Sequence, residues 1–250
     1  MFPPQVQQLI RAVLAKSDVQ AHAYAAAGKI TSERDYVSRL IQMVETDLNH
    51  AAQPGLTIWT VRHSTEQSAG IDAAVFLRSD VEARLGVFEA KQLRQGWDRG
   101  GRFHTQLIRQ SRLDKRIAAW EVFAALRKPV TCIPKGTAGC AWLTEAIQES
   151  APTVAWTNKT LERLFAKGAH TLDHMVGEMM ECRQGELIPE LIAGRDAVRS
   201  CLGEAGGAQT IVGIEYDTPP PKLSDEEAVQ QDLEHTRRLE EFVRKHRPEK

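Results

Sequence analysis

Between Gly70 and Leu93 the chain carries two short apolar runs, GIDAAVFL (70–77) and RLGVFEAKQL (84–93), separated by a polar turn. Runs of this length, rich in Val, Phe and Leu and bounded by turn residues, read as β-strands. Side chains alternate across a strand, so Ile71, Ala73, Val75 and Leu77 share one face of the first while Asp72, Ala74 and Phe76 share the other. On the second strand Val87, Glu89, Lys91 and Leu93 fall on one face. The sheet built from these strands must hold an Asp, a Glu and a Lys among apolar neighbours, where bare charges are costly. Any fold assigned to the chain has to give those three a partner.

TIWTVRH (57–63) reads as a third strand, and the three together predict a meander of adjacent strands. Upstream, Val6, Leu9, Ile10, Val13 and Leu14 recur at helical spacing after Pro3-Pro4, and AHAYAAAGK either extends that helix or covers another element. A second helix is capped by Ser32, with Asp35 three residues on and Tyr36, Val37, Leu40, Ile41, Val44 and Leu48 as its stripe. At about 100° per residue Glu33 falls within roughly 20° of that stripe's centre, which puts a carboxylate on the face to be buried. Asp35 and Glu45 point away from it, and an exposed dipole or capping role is the alternative for Glu33.

Downstream, GWDRGGRF (96–103) is a glycine-broken loop, and a long helix is predicted from about His104 to Leu126 with Gln106, Gln110 and most of the nearby basic residues. PVTCIP, CAWL and PTVAW read as short strands, TNKTLERLFAKG and 171–182 as helices, and TIVGIEY (210–216) as a last strand. Gly206-Gly207 and Pro219-Pro220-Pro221 mark boundaries, so the expected division is an α/β domain over 1–218 and a charged C-terminal helix or arm over 219–250.

A chain of 250 residues with 42% hydrophobic and 26% charged side chains has the composition of a globular protein and excludes bulk disorder and fibrous folds. No apolar run approaches the roughly 20 residues that span a bilayer, and the first residues lack the charged-then-apolar order of a signal peptide, so a cytoplasmic protein without membrane contact is expected. Cys132, Cys140, Cys182 and Cys201 contain no CxxC pair, which argues for buried thiols rather than a zinc ribbon or a disulfide framework. A net charge of −1 conceals a window, 84–116, with nine basic residues against three acidic ones. That window suits a polyanionic partner, or else a solvated helix face. His170 and His174 stand at zinc-ligating spacing but lack the glutamate of HExxH, and GTAGCAW contains no phosphate-cradling glycine motif. Trp97, in the glycine loop among arginines, is the tryptophan placed to stack on a base.

The order helix with Glu33, strand, strand with Asp72, strand with Glu89-Ala90-Lys91, then basic helix resembles the PD-(D/E)XK nuclease superfamily, over roughly residues 30 to 130. The residue before Asp72 is Ile71 rather than the family's common proline, and Gln106 and Gln110 stand where some branches carry a glutamine-tyrosine pair. The resemblance implies a restriction-endonuclease-like α/β fold: a central mixed β-sheet flanked by helices, here with an extra C-terminal helical segment. It implies a metal-dependent endonuclease hydrolysing DNA phosphodiesters in defence, toxin action or repair, with possible dimerisation and control by an inhibitor or activator protein. Asp72, Glu89, the Ala90 carbonyl and Glu33 would hold Mg2+, with Mn2+ as a substitute, since hard cations take oxygen donors and magnesium keeps several waters. Lys91 would orient or deprotonate a water, Gln106 would bind that water or the scissile phosphate, and Arg94, Arg99, Arg102 and Arg109 would hold neighbouring phosphates. The alternatives are a buried ion pair of purely structural role and a member of the fold that binds nucleic acid or acts as a scaffold without cutting.

Overall fold

A computed structural model of the chain describes residues 1–62, 71–93, 97–98, 101–125, 131–204 and 208–219. Residues 1–217 form one compact unit and 218–250 a second, of which only Thr218 and Pro219 are described.

Pro4 opens α1 (Pro4–Ala26) at the position where a missing N–H costs nothing, so the Pro-Pro pair starts the helix rather than breaking it, and the alanine-rich stretch continues it. α2 (Glu33–Ala51) begins as its sequence requires: the Ser32 hydroxyl accepts a hydrogen bond from the Asp35 N–H at 3.1 Å. Its stripe, Tyr36 to Leu48, is buried. Tyr36 donates to buried Asp18 at 2.6 Å, and the other Asp18 oxygen accepts from the Ala138 N–H at 2.9 Å, so one carboxylate ties both helices to the sheet margin.

Six strands form one mixed sheet: β1 (Leu56–Arg62), β2 (Ala73–Ser79), β3 (Ala83–Gln92), β4 (Ala118–Ala124), β5 (Gly139–Trp142) and β6 (Thr210–Tyr216), in the order β1-β6-β2-β3-β4-β5. β2 and β3 are an antiparallel hairpin, as alternation predicts, but β1 is not beside them: β6 lies between, antiparallel to β1 and parallel to β2. The predicted meander is therefore wrong at its first strand, because a distant segment displaces the sequence neighbour. The long helix predicted over 104–126 is also wrong. It is a short helix, α3 (Arg102–Gln110), a turn, and then β4, which pairs parallel to β3. β5 corresponds to CAWL, whereas 152–156 is irregular with Thr153 at φ 63°, and 131–134 is not a strand either. The remaining helices are α4 (Leu143–Glu149), α5 (Asn158–Leu164), α6 (Leu172–Met180) and α7 (Arg195–Glu204). Among the described residues no helix is long and apolar enough to cross a membrane.

The two faces of the sheet are covered differently. α1, α2 and α6 pack on one face over Val75, Phe88, Ala90, Trp120 and Val122 in a continuous apolar layer. On the other face, Phe76, Leu85 and Val87 join Leu191 and Val198, while Leu93 and Phe123 join Phe103, Leu107 and Leu161 in a separate cluster. Along β3 on this face the order is Leu85, Val87, Glu89, Lys91, Leu93, so the charges occupy the seam between two apolar clusters.

Gly86 marks the tightest point of the continuous layer. A Cβ there would stand 2.6 Å from both the Met179 sulfur and the Trp120 ring, which stacks on Phe88 with centroids 5.5 Å apart. Gly86→Ala is expected to cost about 1–3 kcal/mol of stability by overpacking, read from urea unfolding midpoints at an unchanged m-value. A loss within experimental error would contradict this packing.

Candidate active site

β3 outruns its hairpin partner. β2 begins at Ala73, opposite Phe88, so the N–H groups of Ala90 and Gln92 on that side of β3 face no strand. Two carboxylates take them instead: Asp72 Oδ2 accepts from Ala90 at 2.8 Å and Glu33 Oε1 accepts from Gln92 at 2.8 Å. Buried backbone donors must find acceptors, and these side chains stand in for the missing strand. Glu33 does this from the first turn of α2, where its phase on the helix directs it to the sheet. In an extended strand the C=O of a residue lies on the same side as its N–H, so the Ala90 carbonyl opens toward the gap between Asp72 and Glu33.

On the seam, both oxygens of Glu89 are engaged. Lys91 donates to Oε1 in an ion pair, and Gln110 Nε2 donates to Oε2 at 2.8 Å. Gln106, one turn earlier on α3, lies close enough to Glu89 to favour its charged form. The Lys91 ammonium lies 5.6 Å from the centroid of the Phe103 ring. α3 holds its position through buried Asp98, which accepts from the Phe103 N–H at 3.1 Å and from the Trp156 N–H at 2.8 Å. Sequence reasoning counted Asp98 only as a charge; its place two residues after a glycine and just before a helix was the signal of a cap.

Glu121 is the residue sequence reasoning missed. It stands directly opposite Glu89 in the parallel β3–β4 register and is 1% exposed. Its Oε2 has no hydrogen-bond partner. The alternation in AAWEVFA places Glu121 and Phe123 opposite Trp120 and Val122, but this signal is lost when the segment is read as helix.

Burial sets the electrostatics. It pushes the Asp72 carboxyl up to about 6, against the Ala90 hydrogen bond and the charge of Lys91. Burial pushes Glu89 up to about 7, opposed by Lys91 and Gln106 and reinforced by Asp72. Glu121 is raised well above the ordinary carboxylate range, by burial first and then by Glu89. For Lys91, burial favours the neutral amine, but Glu89, Glu121 and Glu33 outweigh it and hold the ammonium above its ordinary value.

No protein-family model, curated protein or solved structure matches the chain. The chemistry therefore rests on the donors themselves. Asp72, Glu89, Glu33 and the Ala90 carbonyl are all hard oxygen donors, a set suited to magnesium or manganese and not to a thiophilic ion. Among the described residues no three His, Cys, Asp or Glu side chains are already gathered to hold a metal.

Of the four candidate phosphate-binding arginines, Arg102 and Arg109 are exposed on α3, and Arg94 and Arg99 lie outside the described residues. Trp97 is packed edge-on against Phe103, Phe123 and Trp156, with centroids 5.2, 6.2 and 6.2 Å away, so it belongs to an aromatic cluster rather than to an open stacking platform. The rings of His170 and His174 stack 4.6 Å apart, and His174 lies 3.7 Å from Glu178. None of the four cysteines forms a disulfide, and only Cys140 is fully buried, so the expectation of buried thiols holds for one of them.

Proposed function

We propose that the chain is a metal-dependent nuclease of restriction-endonuclease-like architecture that hydrolyses DNA phosphodiesters. One observation carries this reading: β2, β3 and the start of α2 bring Asp72, the Ala90 carbonyl, Glu33, Glu89 and Lys91 to one end of a hairpin, and α3 crosses from β3 to β4 with Gln106 and Gln110 against Glu89. Buried charges this concentrated are expensive as packing and explicable as chemistry.

Asp72, Glu89, Glu33 and the Ala90 carbonyl would hold magnesium, with manganese as a substitute. Once bound, such an ion neutralises charge on the phosphoryl oxygens and acidifies a water. The chain's own groups do the rest. Lys91, kept as an ammonium by its carboxylate neighbours, donates hydrogen bonds and positive charge beside the scissile phosphate. Gln106 fixes the Glu89 carboxylate. Exposed Arg102 and Arg109 extend positive charge along the outer side of α3, where flanking phosphates bind without sequence readout.

A second reading, a nucleic-acid-binding or scaffolding protein of the same architecture that does not cut, is favoured by the engagement of both Glu89 oxygens, which makes the seam a closed ion-paired cluster. Incubation of the purified chain with supercoiled plasmid in magnesium, manganese or EDTA separates the two. The nuclease nicks or linearises plasmid only with metal. A gel shift that survives EDTA and Asp72→Ala, with no cleavage under any condition, establishes the binder. Cleavage that persists in EDTA rejects both.

A further inference from the structure

Glu121 has no part in the cleavage chemistry above, yet it is the most deeply buried of the clustered acids. Glu89 and Glu121 face each other in register across β3 and β4, Asp72 stands just before β2, and the Lys91 ammonium pairs with Glu89. Each Glu89 oxygen already has a partner, Lys91 on one and Gln110 on the other, whereas among the described residues the buried Oε2 of Glu121 has none. Gln110 donates to Glu89 Oε2 at 2.8 Å, and Glu121 is Glu89's partner in the β3–β4 register, so the two carboxylates stand side by side. A cation that takes Oε1 of Glu89 as a ligand competes with the Lys91 ammonium for that oxygen. That ammonium is only 14% exposed, and a displaced buried charge is costly unless another acceptor is within reach.

We propose that Glu121 is that acceptor: a positioning residue that receives Lys91 when a divalent cation occupies Glu89, so that the lysine changes carboxylates within the seam instead of being expelled from it. This rests on the nuclease reading for its cation, but the exchange itself is a property of the side chains. Lys91 lies two residues beyond Glu89 on the same face of β3, and Glu121 is Glu89's register partner on the adjacent strand, so both acids lie within the reach of one flexible lysine.

Two experiments on the full chain test it. In a crystal structure of Glu89→Gln, which removes the present acceptor's charge without any metal, Lys91 Nζ is expected about 3 Å from a Glu121 oxygen. A lysine that stays on residue 89 or turns to solvent overturns the exchange. Calorimetric titration with Mg2+ alone then reads its consequence. Glu121→Gln should weaken magnesium binding by about tenfold in the native background and by less than about twofold in Lys91→Met, because the acceptor matters only while the lysine is present. An equal loss in both backgrounds makes Glu121 a direct ligand, and no loss in either removes its role; each outcome overturns the proposal. If the native chain takes up no magnesium and Asp72→Ala changes nothing, the nuclease reading fails instead, and the Glu89→Gln structure still decides the exchange.

Discussion

Lys91→Met and Glu89→Ala are each expected to lower the initial rate of plasmid cleavage by at least about 10³-fold, within the range lost when a positioned acid, base or charge-stabilising group is removed. Among the described residues Lys91 is the cation paired inside the seam, and Glu89 is the acid that α3 and Lys91 both converge on. Gln106→Ala leaves the charges in place and removes only a neutral side chain that favours the charged form of Glu89, so its loss should be far smaller, roughly tenfold. Arg102→Ala and Arg109→Ala act on binding: each should weaken DNA affinity uniformly across sequences and reduce the salt slope by about 0.9. Retention of more than about a tenth of the native rate by Lys91→Met is incompatible with the assigned role.

In EDTA, the protein is expected to lose stability as the pH rises from about 4 to about 7, a window set by the ordinary carboxylate range and by the raised values of Asp72 and Glu89. An acid whose folded pKa lies above its unfolded value binds its proton more tightly when folded. Its stabilising contribution is complete below the unfolded value and disappears as the pH passes the folded one. Asp72 at about 6, Glu89 at about 7 and Glu121 well above its ordinary range all act in this direction. The lowered acids, Asp114, Glu178 and Glu190, act oppositely, and solvent screens Asp114 and Glu190. The raised set amounts to a few kcal/mol, so Tm in EDTA should fall by on the order of 5 °C or more between pH 5 and pH 8. Asp72→Asn keeps an acceptor for the Ala90 N–H and loses the titration. It should flatten the profile and raise Tm at pH 8 while abolishing cleavage, the pattern expected where stability is exchanged for chemistry. A native Tm that climbs between pH 5 and pH 8 in EDTA would show that the cluster does not carry buried charge.

What the sequence discloses is governed by how local each signal is. Period-two alternation placed Glu89 and Lys91 on one face of β3 and Asp72 opposite Ala73 and Val75, and the structure agrees because alternation is imposed by the strand itself. The Ser32 cap and the phase of Glu33 are equally local. The position of β6 was not readable, because its pairing with β1 and β2 joins segments more than 130 residues apart that no turn connects. Glu121 was lost for a different reason. The basic residues after α3 drew 104–126 into a single helix, and with it the alternation that shows Glu121 facing Glu89.

The position of β6 also bears on synthesis. Thr210 donates its N–H to the Asp72 carbonyl at 3.1 Å, and β6 supplies β2 with its neighbour and β1 with its only partner in the sheet order. A nascent chain stopped before residue 210 therefore leaves β2 with a bare edge and the Asp72 backbone untethered. The hairpin that carries the acids is translated early, yet its setting is completed by one of the last described segments to emerge from the ribosome. Interrupted translation products thus lack the strand that completes the sheet around the acidic cluster.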